Sequence, residues 1–422
     1  MQLFIQKVHF FFRQEFPLLL LFRWLSASAV VGALTGMLSS LFVLLLDLVA
    51  SYRIQHSWVL YLLLATGLFI VWIYRWMQGD HPQGTNLVLA SIHSKEQIPI
   101  RMIPLIFLST IATHLAGGSA GRTGAGMQMG GSLGNTFGKI LRFDDNDRRI
   151  LIMCGVSAAF AVICQAPAAG SFFALEVVSV GIMHYSALIP CITSALIAFQ
   201  ISLSMGIDSP YSHLSLLPEL SVSLVFRMLL LAMLFALVST LFCLLLHKLE
   251  RGMKKLLPNP YIRIVAGGIL ILLATLILGT QAYNGVSEFL TLQALGGNAG
   301  GWDFLLKMLL TAVTLGAGFK GGEIAPTFCI GATFGCFVGG LLGLPPALCA
   351  ALGFGAVFCG VTNCPVTSIL LCVELFGSKG LLYYLPVIAV SYILSGYHGL
   401  YASQKIVYSK YKTEYINITA KE

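Results

Sequence analysis

Charged side chains are scarce in this chain of 422 residues. They make up 10% of it against 57% hydrophobic residues, and mean hydropathy is +0.86. A soluble domain carries about a quarter charged residues. A chain with less than half of that lacks the polar surface to stay dissolved. This excludes a soluble enzyme, a disordered segment and a nucleic-acid binder with a basic face. Catalytic patterns are missing as well, with no HExxH, GxSxG or Walker A sequence. None of the ten cysteines forms a CxxC pair, so they read as small buried hydrophobes, and no metal or cofactor is expected. Residues 316–321 spell GxGxxG, but they lie in an apolar run with no strand before it, which argues against a nucleotide site. No small-residue cleavage site follows Lys7 and Arg13. The start therefore reads as a cytoplasmic end leading into a membrane helix, not as a removed signal.

What the chain has in abundance is apolar runs. A bilayer crossing takes roughly 20 residues. Residues 16–50, 58–76, 103–116, 150–165, 168–203, 222–246, 262–279, 304–315, 324–344, 347–360, 366–376 and 381–393 are candidates. Several are too short to span straight, and several are interrupted by Gly or Pro. Broken helices are tolerated at membrane depth only where protein or a hydrated cavity covers the freed backbone groups, and in many transporters they mark the binding site. Charged loops are expected to separate the runs, among them RFDDNDRR at 142–149 and HKLERGMKK at 247–255. The net charge of +8 and the Lys-rich end from Lys405 place both termini on the cytoplasmic side by the excess of positive residues.

The 43 glycines are not spread evenly, and they expose an internal repeat. Residues 121–134 read GRTGAGMQMGGSLG, and residues 322–335 read GEIAPTFCIGATFG. A shift of 201 lays Gly121, Gly130 and Gly134 on Gly322, Gly331 and Gly335, with Ser132 on Thr333. At a shift of 198, Gly155, Phe160, Pro167 and Glu176 fall on Gly353, Phe358, Pro365 and Glu374. The organisation this implies is a cytoplasmic segment (1–15), a first membrane repeat (16–205), a linker (206–219), a second repeat (220–404) and a cytoplasmic tail (405–422). The two glycine-rich blocks are expected to meet at one site.

Each glycine-rich block opens a helix. A helix start offers unpaired N–H groups and about half a positive charge. Two such starts aimed at one point bind an anion without a full cation, which would hold it too tightly to let it leave. Glycine lets the backbone approach the ion. Close helix packing is the other use of such glycines, and Gly130, Gly131 and Gly134 suit it. The anion reading is assigned to Gly121 and Gly124.

These blocks resemble the CLC chloride channels and transporters. GSAGRTGAGMQMGG resembles the family's GREGP-type block, and GFKGGEIAPTF its GxFxP block. CQAPAAGSFFALE, residues 81–89 and SGYHGLYASQKI at 395–406 follow in the family's order. GFKGGE, GTNL at 84–87 and YASQK are most similar in wording to the fluoride-transporting branch. The resemblance implies an all-α membrane fold of two inverted repeats with broken, tilted helices, assembled as a homodimer in a bacterial inner membrane. It places Gln83, Gly84 and Asn86 in the first ion-binding block, with a polar turn before a helix as the alternative. Tyr401 matches a tyrosine that donates to the central ion, with Tyr397 nearby. Phe328 matches a phenylalanine that holds fluoride by its ring edge, with a core aromatic as the alternative. Arg122 is the block's basic partner, raising local anion concentration or pairing with a carbonyl.

The departures from the family pattern carry the functional expectation. Thr123 stands where the family has its gating glutamate, and a hydroxyl can donate a hydrogen bond but cannot titrate. Val177 stands where exchangers have an inner proton glutamate, and Ala325 where the fluoride branch tends to have threonine. Glu323, beside Ile324 at the second helix start, is the remaining acid of the pathway. It either relays protons and repels anions or caps its helix. Glu176 and Glu374 read as structural or vestibule acids. The expectation is passive, channel-like transport of a small monovalent anion, fluoride or chloride. Proton-coupled antiport by another route is the alternative. An enzyme is not expected.

Overall fold

A computed structural model describes residues 17–77, 84–93, 98–214 and 217–421. Among them are sixteen α-helices. The first eight are α1 (Pro17–Gln55), α2 (Leu63–Met77), α3 (Thr85–His93), α4 (Met102–Leu115), α5 (Thr123–Ile140), α6 (Asp145–Cys164), α7 (Pro167–Glu176) and α8 (Leu188–Ser204). The second eight are α9 (Val222–Leu256), α10 (Pro260–Leu278), α11 (Glu288–Leu295), α12 (Asp303–Ala317), α13 (Ile324–Leu341), α14 (Pro346–Thr362), α15 (Pro365–Phe376) and α16 (Leu381–Leu394). The two sets repeat a pattern of long, medium and short helices. α5 and α13 are each 18 residues long. Among the described residues, six helical spans are long and apolar enough to cross a membrane.

Helix ends obey local chemistry at matching places in the two sets. Pro at the first position starts α7 and α15, where its missing N–H costs nothing. α6 and α14 end on Gln165 and Asn363, both left-handed at φ 54° and 59° and 198 residues apart. The pairs α5·α6 and α13·α14 pack backbone to backbone. A Cβ on Gly130 would lie 2.2 Å from the Gly155 carbonyl oxygen, and one on Gly331 would lie 2.1 Å from that of Gly353. The centre is apolar and aromatic. Phe160, Phe173, Phe328, Phe354 and Phe358 stack in series, with Phe160 and Phe358 of the repeat 6.2 Å apart. All ten cysteines are buried there and unpaired.

The repeats interlock through two carboxylates. Glu374, in the last turns of α15, accepts from the amides of Ala168 and Ala169 at the start of α7, both at 2.8 Å. Glu176, ending α7, accepts from the amides of Val366 and Thr367 at 3.0 and 2.9 Å and from the Thr367 hydroxyl at 2.6 Å. Each acid therefore closes the open start of the other repeat's helix, where an anion meets the positive end of the macrodipole. This geometry gives the two glutamates a structural role and takes them out of the vestibules.

Four features of the fold differ from the sequence reading. The cluster 142–149 is not a loop throughout. Asp144 accepts from the Asp147 amide at 2.7 Å as the N-cap of α6, and Asp147 pairs with Arg23 at 3.0 Å. The cluster 247–255 continues α9, with Glu250 and Lys254 paired four residues apart. The single run 168–203 is two helices, with a short strand β1 (Ser179–Val180) between them. Nor is the tail free. β2 (Lys405–Tyr408) pairs parallel to β1 and antiparallel to β3 (Tyr415–Thr419), giving one three-stranded sheet beside the helices. The segment KIVY buries Ile406 and Val407 and reads as a strand once that surface exists to cover it.

Replacing Glu176 by Ala leaves two helix-start amides without an acceptor in the apolar interior. The expected loss is about 3 kcal/mol of stability, read as a fall of several degrees in thermal unfolding in detergent. Glu219→Ala, at an exposed position, is the comparison and should change nothing. Equal melting of the two variants would remove the interlock from the account.

Candidate functional site

Two turns prepare the helix starts. Gly117, after α4, and Gly318, after α12, both take positive φ, at 87° and 110°. The next residues cross over between repeats. The Ser119 amide donates to Thr314 Oγ1 at 3.1 Å, and the Lys320 amide donates to Thr113 Oγ1 at 3.3 Å. These are equivalent bonds related by the 201-residue shift. They deliver Gly121 and Gly322 to each other as an antiparallel bridge with two hydrogen bonds of 2.7 Å.

Glycine is required at this bridge by close contact. A Cβ on Gly322 would lie 2.5 Å from the Gly124 nitrogen, and one on Gly121 would lie 2.9 Å from the Gly322 oxygen. α5 and α13 then start side by side. Their N-caps, Arg122 and Glu323, make no side-chain capping bond, so neither start is closed from within its own chain segment.

Two cavities adjoin the paired starts and share no lining residue. The tail-side cavity, about 170 Å³, is lined by Gly84, Thr85, Asn86, Gln128, Lys320, Glu323 and Tyr401 among others. Tyr401 is 2% exposed and its hydroxyl has no partner. Oε2 of Glu323 is likewise buried and unpartnered. Gln128 Nε2 donates to Thr85 Oγ1 at 3.3 Å, and Asn86 Oδ1 accepts from Ser403 Oγ at 3.0 Å. The Tyr401 segment is fixed by Gln404, whose Nε2 donates to the carbonyls of Val177 and Thr362 at 2.9 and 2.8 Å. The linker-side cavity, about 80 Å³, is lined by Arg122, Thr123, Tyr211, Glu288, Ala325 and Phe328 among others.

The residues singled out in the sequence therefore divide. Gly84, Asn86, Glu323 and Tyr401 share the tail-side cavity, while Arg122, Thr123 and Phe328 share the linker-side one. Gly121 and Gly124 form the seam between the helix starts. Ile324 is fully buried, and neither cavity includes it. Gln83 lies outside the described residues. Arg122 is mostly buried and lines the linker-side cavity. Nη1 reaches Asp47 of α1 at 2.8 Å, because a mostly buried cation is stabilised by a specific counter-charge. Phe328 faces its cavity from within the aromatic series, stacked on Phe354 at 4.1 Å. Tyr397 is engaged elsewhere, 2.7 Å from Ser409 Oγ.

Thr85, Gln128 and Lys320 were not selected from the sequence. Thr85 is inside the GTNL stretch, and Gln128 follows Gly124 by one helical turn. That spacing puts both beside the first helix start.

Interlocked repeats whose broken helices start face to face inside an apolar body define an integral, multi-pass membrane protein of inverted-repeat construction. The family described as "Voltage gated chloride channel" matches residues 66–396. A "Chloride/fluoride channel protein" of Pseudomonas syringae pv. tomato is 36% identical over 400 residues, covering 92% of this chain and 88% of that one. The solved structure of a CLC-type fluoride/proton antiporter superposes with a TM-score of 0.88 at 32% identity, covering 91% of this chain and 98% of the other. A slow cyanobacterial Cl⁻/H⁺ antiporter shares the fold at a TM-score of 0.75, with 22% identity and coverage of 88% and 94%. The chain belongs to the CLC family.

Gly322→Ala tests the seam. A methyl group 2.5 Å from the Gly124 nitrogen must part the helix starts, at a cost of about 1–3 kcal/mol as for other overpacking. The expected result is a lower unfolding midpoint than in Gly340→Ala, where an added Cβ meets only Pro346 Cγ at 3.8 Å. Identical midpoints would contradict the close approach.

Proposed function

We propose that the protein carries a small monovalent anion, fluoride or chloride, through the gap between the two helix starts, by passive conduction. The single observation behind this reading is the pair of uncapped starts at Gly121 and Gly322, with one cavity on either side. Open amides at two helix starts supply donors and partial positive charge at membrane depth without an ammonium or guanidinium in contact. In this reading Gly84, Asn86 and Tyr401 receive the ion on the tail side, which is cytoplasmic. Thr123, Gly124 and Phe328 pass it to the linker side, where Arg122, paired with Asp47, lines the mouth. Thr123 is the gate position. Its hydroxyl can donate to a passing ion but cannot take the ion's place as a charged group or carry a proton. Two such subunits pair in a bacterial inner membrane, each with its own pathway and with both ends cytoplasmic.

A second reading rests on Glu323. Its carboxyl borders the tail-side cavity with one oxygen unpartnered, in reach of the same space as Tyr401. A fluoride/proton antiporter is among the similar structures. Coupled exchange through Glu323, instead of passive flow, is the form this alternative takes.

Reconstitution in liposomes with an anion electrode and a pH probe separates the readings. Passive conduction collapses an anion gradient with no proton movement, and coupled exchange drives proton uptake from the anion gradient alone. Thr123→Glu is the sharper test. It should slow flux at least several-fold at neutral pH, because the ionised carboxylate competes for the anion's place. Flux should recover as the pH falls and the group takes a proton. A variant as fast as the parent, with a flat pH profile, would remove Thr123 from the pathway.

A further inference from the structure

A third and larger cavity, about 630 Å³, lies beside the linker-side one and shares Asp47, Val286 and Glu288 with it. Its wall is part apolar, from Leu46 and Ala50, and part polar, from Arg53, His114, Asn284 and Ser287. Four of its polar side chains hold a buried atom with no partner among the described residues: the donors Arg53 Nε and Ser287 Oγ and the acceptors His114 Nε2 and Gln281 Oε1. Arg53 is 4% exposed and His114 2% exposed. Nη1 of Arg53 donates to the His114 carbonyl, which leaves Nε–H unused.

A second cation stands directly behind this wall. Lys307 on α12 is completely buried, and its Nζ donates to Gly285 O at 2.7 Å, Ser119 Oγ at 2.9 Å and Tyr283 O at 3.1 Å. Three acceptors account for the three N–H bonds of an ammonium. The Ser119 hydroxyl can accept because its own proton goes to Tyr283 O at 2.9 Å. Arg53 reaches the same residue from the cavity side, with Nη1 and Nη2 3.3 and 3.4 Å from the position a Cβ on Gly285 would take.

Counter-charge is short here. Among the described residues, neither Arg53 nor Lys307 has a carboxylate within ion-pair distance. Asp303, one turn before Lys307, is taken up by Tyr283 Oη at 2.6 Å and the Gly300 amide at 2.7 Å. Asp47 serves Arg122 at 2.8 Å. Glu288 stands at the junction of the two cavities. The wall itself holds Arg53 with Asp47 and Glu288, and Lys307 stands behind it with Asp303, so the shortage is local: among the described residues none of these carboxylates pairs with Arg53 or Lys307. A buried cation without a counter-charge is strongly disfavoured in a low-dielectric interior.

We propose that this cavity is a second anion site, in which a small inorganic anion such as a halide rests against Arg53 Nε–H and Ser287 Oγ–H and balances the Arg53–Lys307 pair. His114 donates Nδ1–H to the Thr110 carbonyl at 2.9 Å, so its bare Nε2 takes a water and not the anion. The shared wall at Asp47 and Val286 makes the site an antechamber to Thr123. That role rests on the transport reading above, whereas binding itself does not.

Crystals soaked in bromide, measured at the bromine absorption edge, test binding directly. The expected result is an anomalous peak beside Arg53 and Ser287 that is lost in Ala50→Phe, which fills the cavity and leaves both cations in place. Arg53→Gln should weaken the peak at least several-fold. If that variant does not fold, Ala50→Phe decides alone. A peak between the helix starts with none in the cavity would overturn this inference and leave the transport reading standing. A cavity peak without one at the helix starts would do the reverse. No peak at either place counts against both, and Arg53 and Lys307 would then be carbonyl staples only.

Discussion

Two backbone hydrogen bonds between Gly121 and Gly322 fix everything around them. They form only if both helices begin at the same depth and neither residue has a side chain. The shared Thr113 and Thr314 hydroxyls and the left-handed turns at Gly117 and Gly318 deliver the strands to that one point. Once the bridge is closed, α5 and α13 cannot slide, and the tight glycine contacts of α5 with α6 and of α13 with α14 carry the same register outward. The seam is therefore the origin from which the fold is laid out.

The charges of the molecule follow from burial in a mostly apolar body. Acids and bases placed within it have defined tasks. Glu176 and Glu374 close helix starts, Asp47 holds Arg122, and Asp147 holds Arg23. Against that background, the groups left without a task are the informative ones. The Tyr401 hydroxyl and one Glu323 oxygen meet at the tail-side cavity. On the other side of the seam, Arg53 and Lys307 have no ion-pair partner among the described residues. A threonine at position 123 adds no charge to either space.

The helical membrane fold was legible because apolar runs and repeated Gly, Pro and Glu spacings depend on local chemistry. Boundaries were less legible where charge was taken to mean loop. Residues 247–255 stay helical because a helix leaving the apolar zone can pair its own charges four residues apart. Residues 142–149 include a cap, which is where Asp belongs. The strands of the tail were not legible because KIVY and YINIT become strands only against the edge that β1 offers, a contact 226 residues distant (Ser179 to Lys405) and invisible to a local pattern. In the candidate site, glycines and the lone acid announced themselves. Thr85 and Gln128 did not, since a hydroxyl and an amide become notable only when geometry turns them toward a shared space. The division of the chosen residues between two cavities was equally beyond the sequence.

The exchanged carboxylates of α7 and α15 also bear on how the chain is made. When the first repeat has left the ribosome, the amides of Ala168 and Ala169 face hydrocarbon with nothing to accept from them, because Glu374 is still about two hundred residues from synthesis. The half-built chain has to keep that end wet, at the bilayer surface or in the insertion machinery, until its counterpart arrives. Neither half is a finished object by itself, so an ancestor with a single repeat would have needed a second copy of its own chain to supply the missing glutamate.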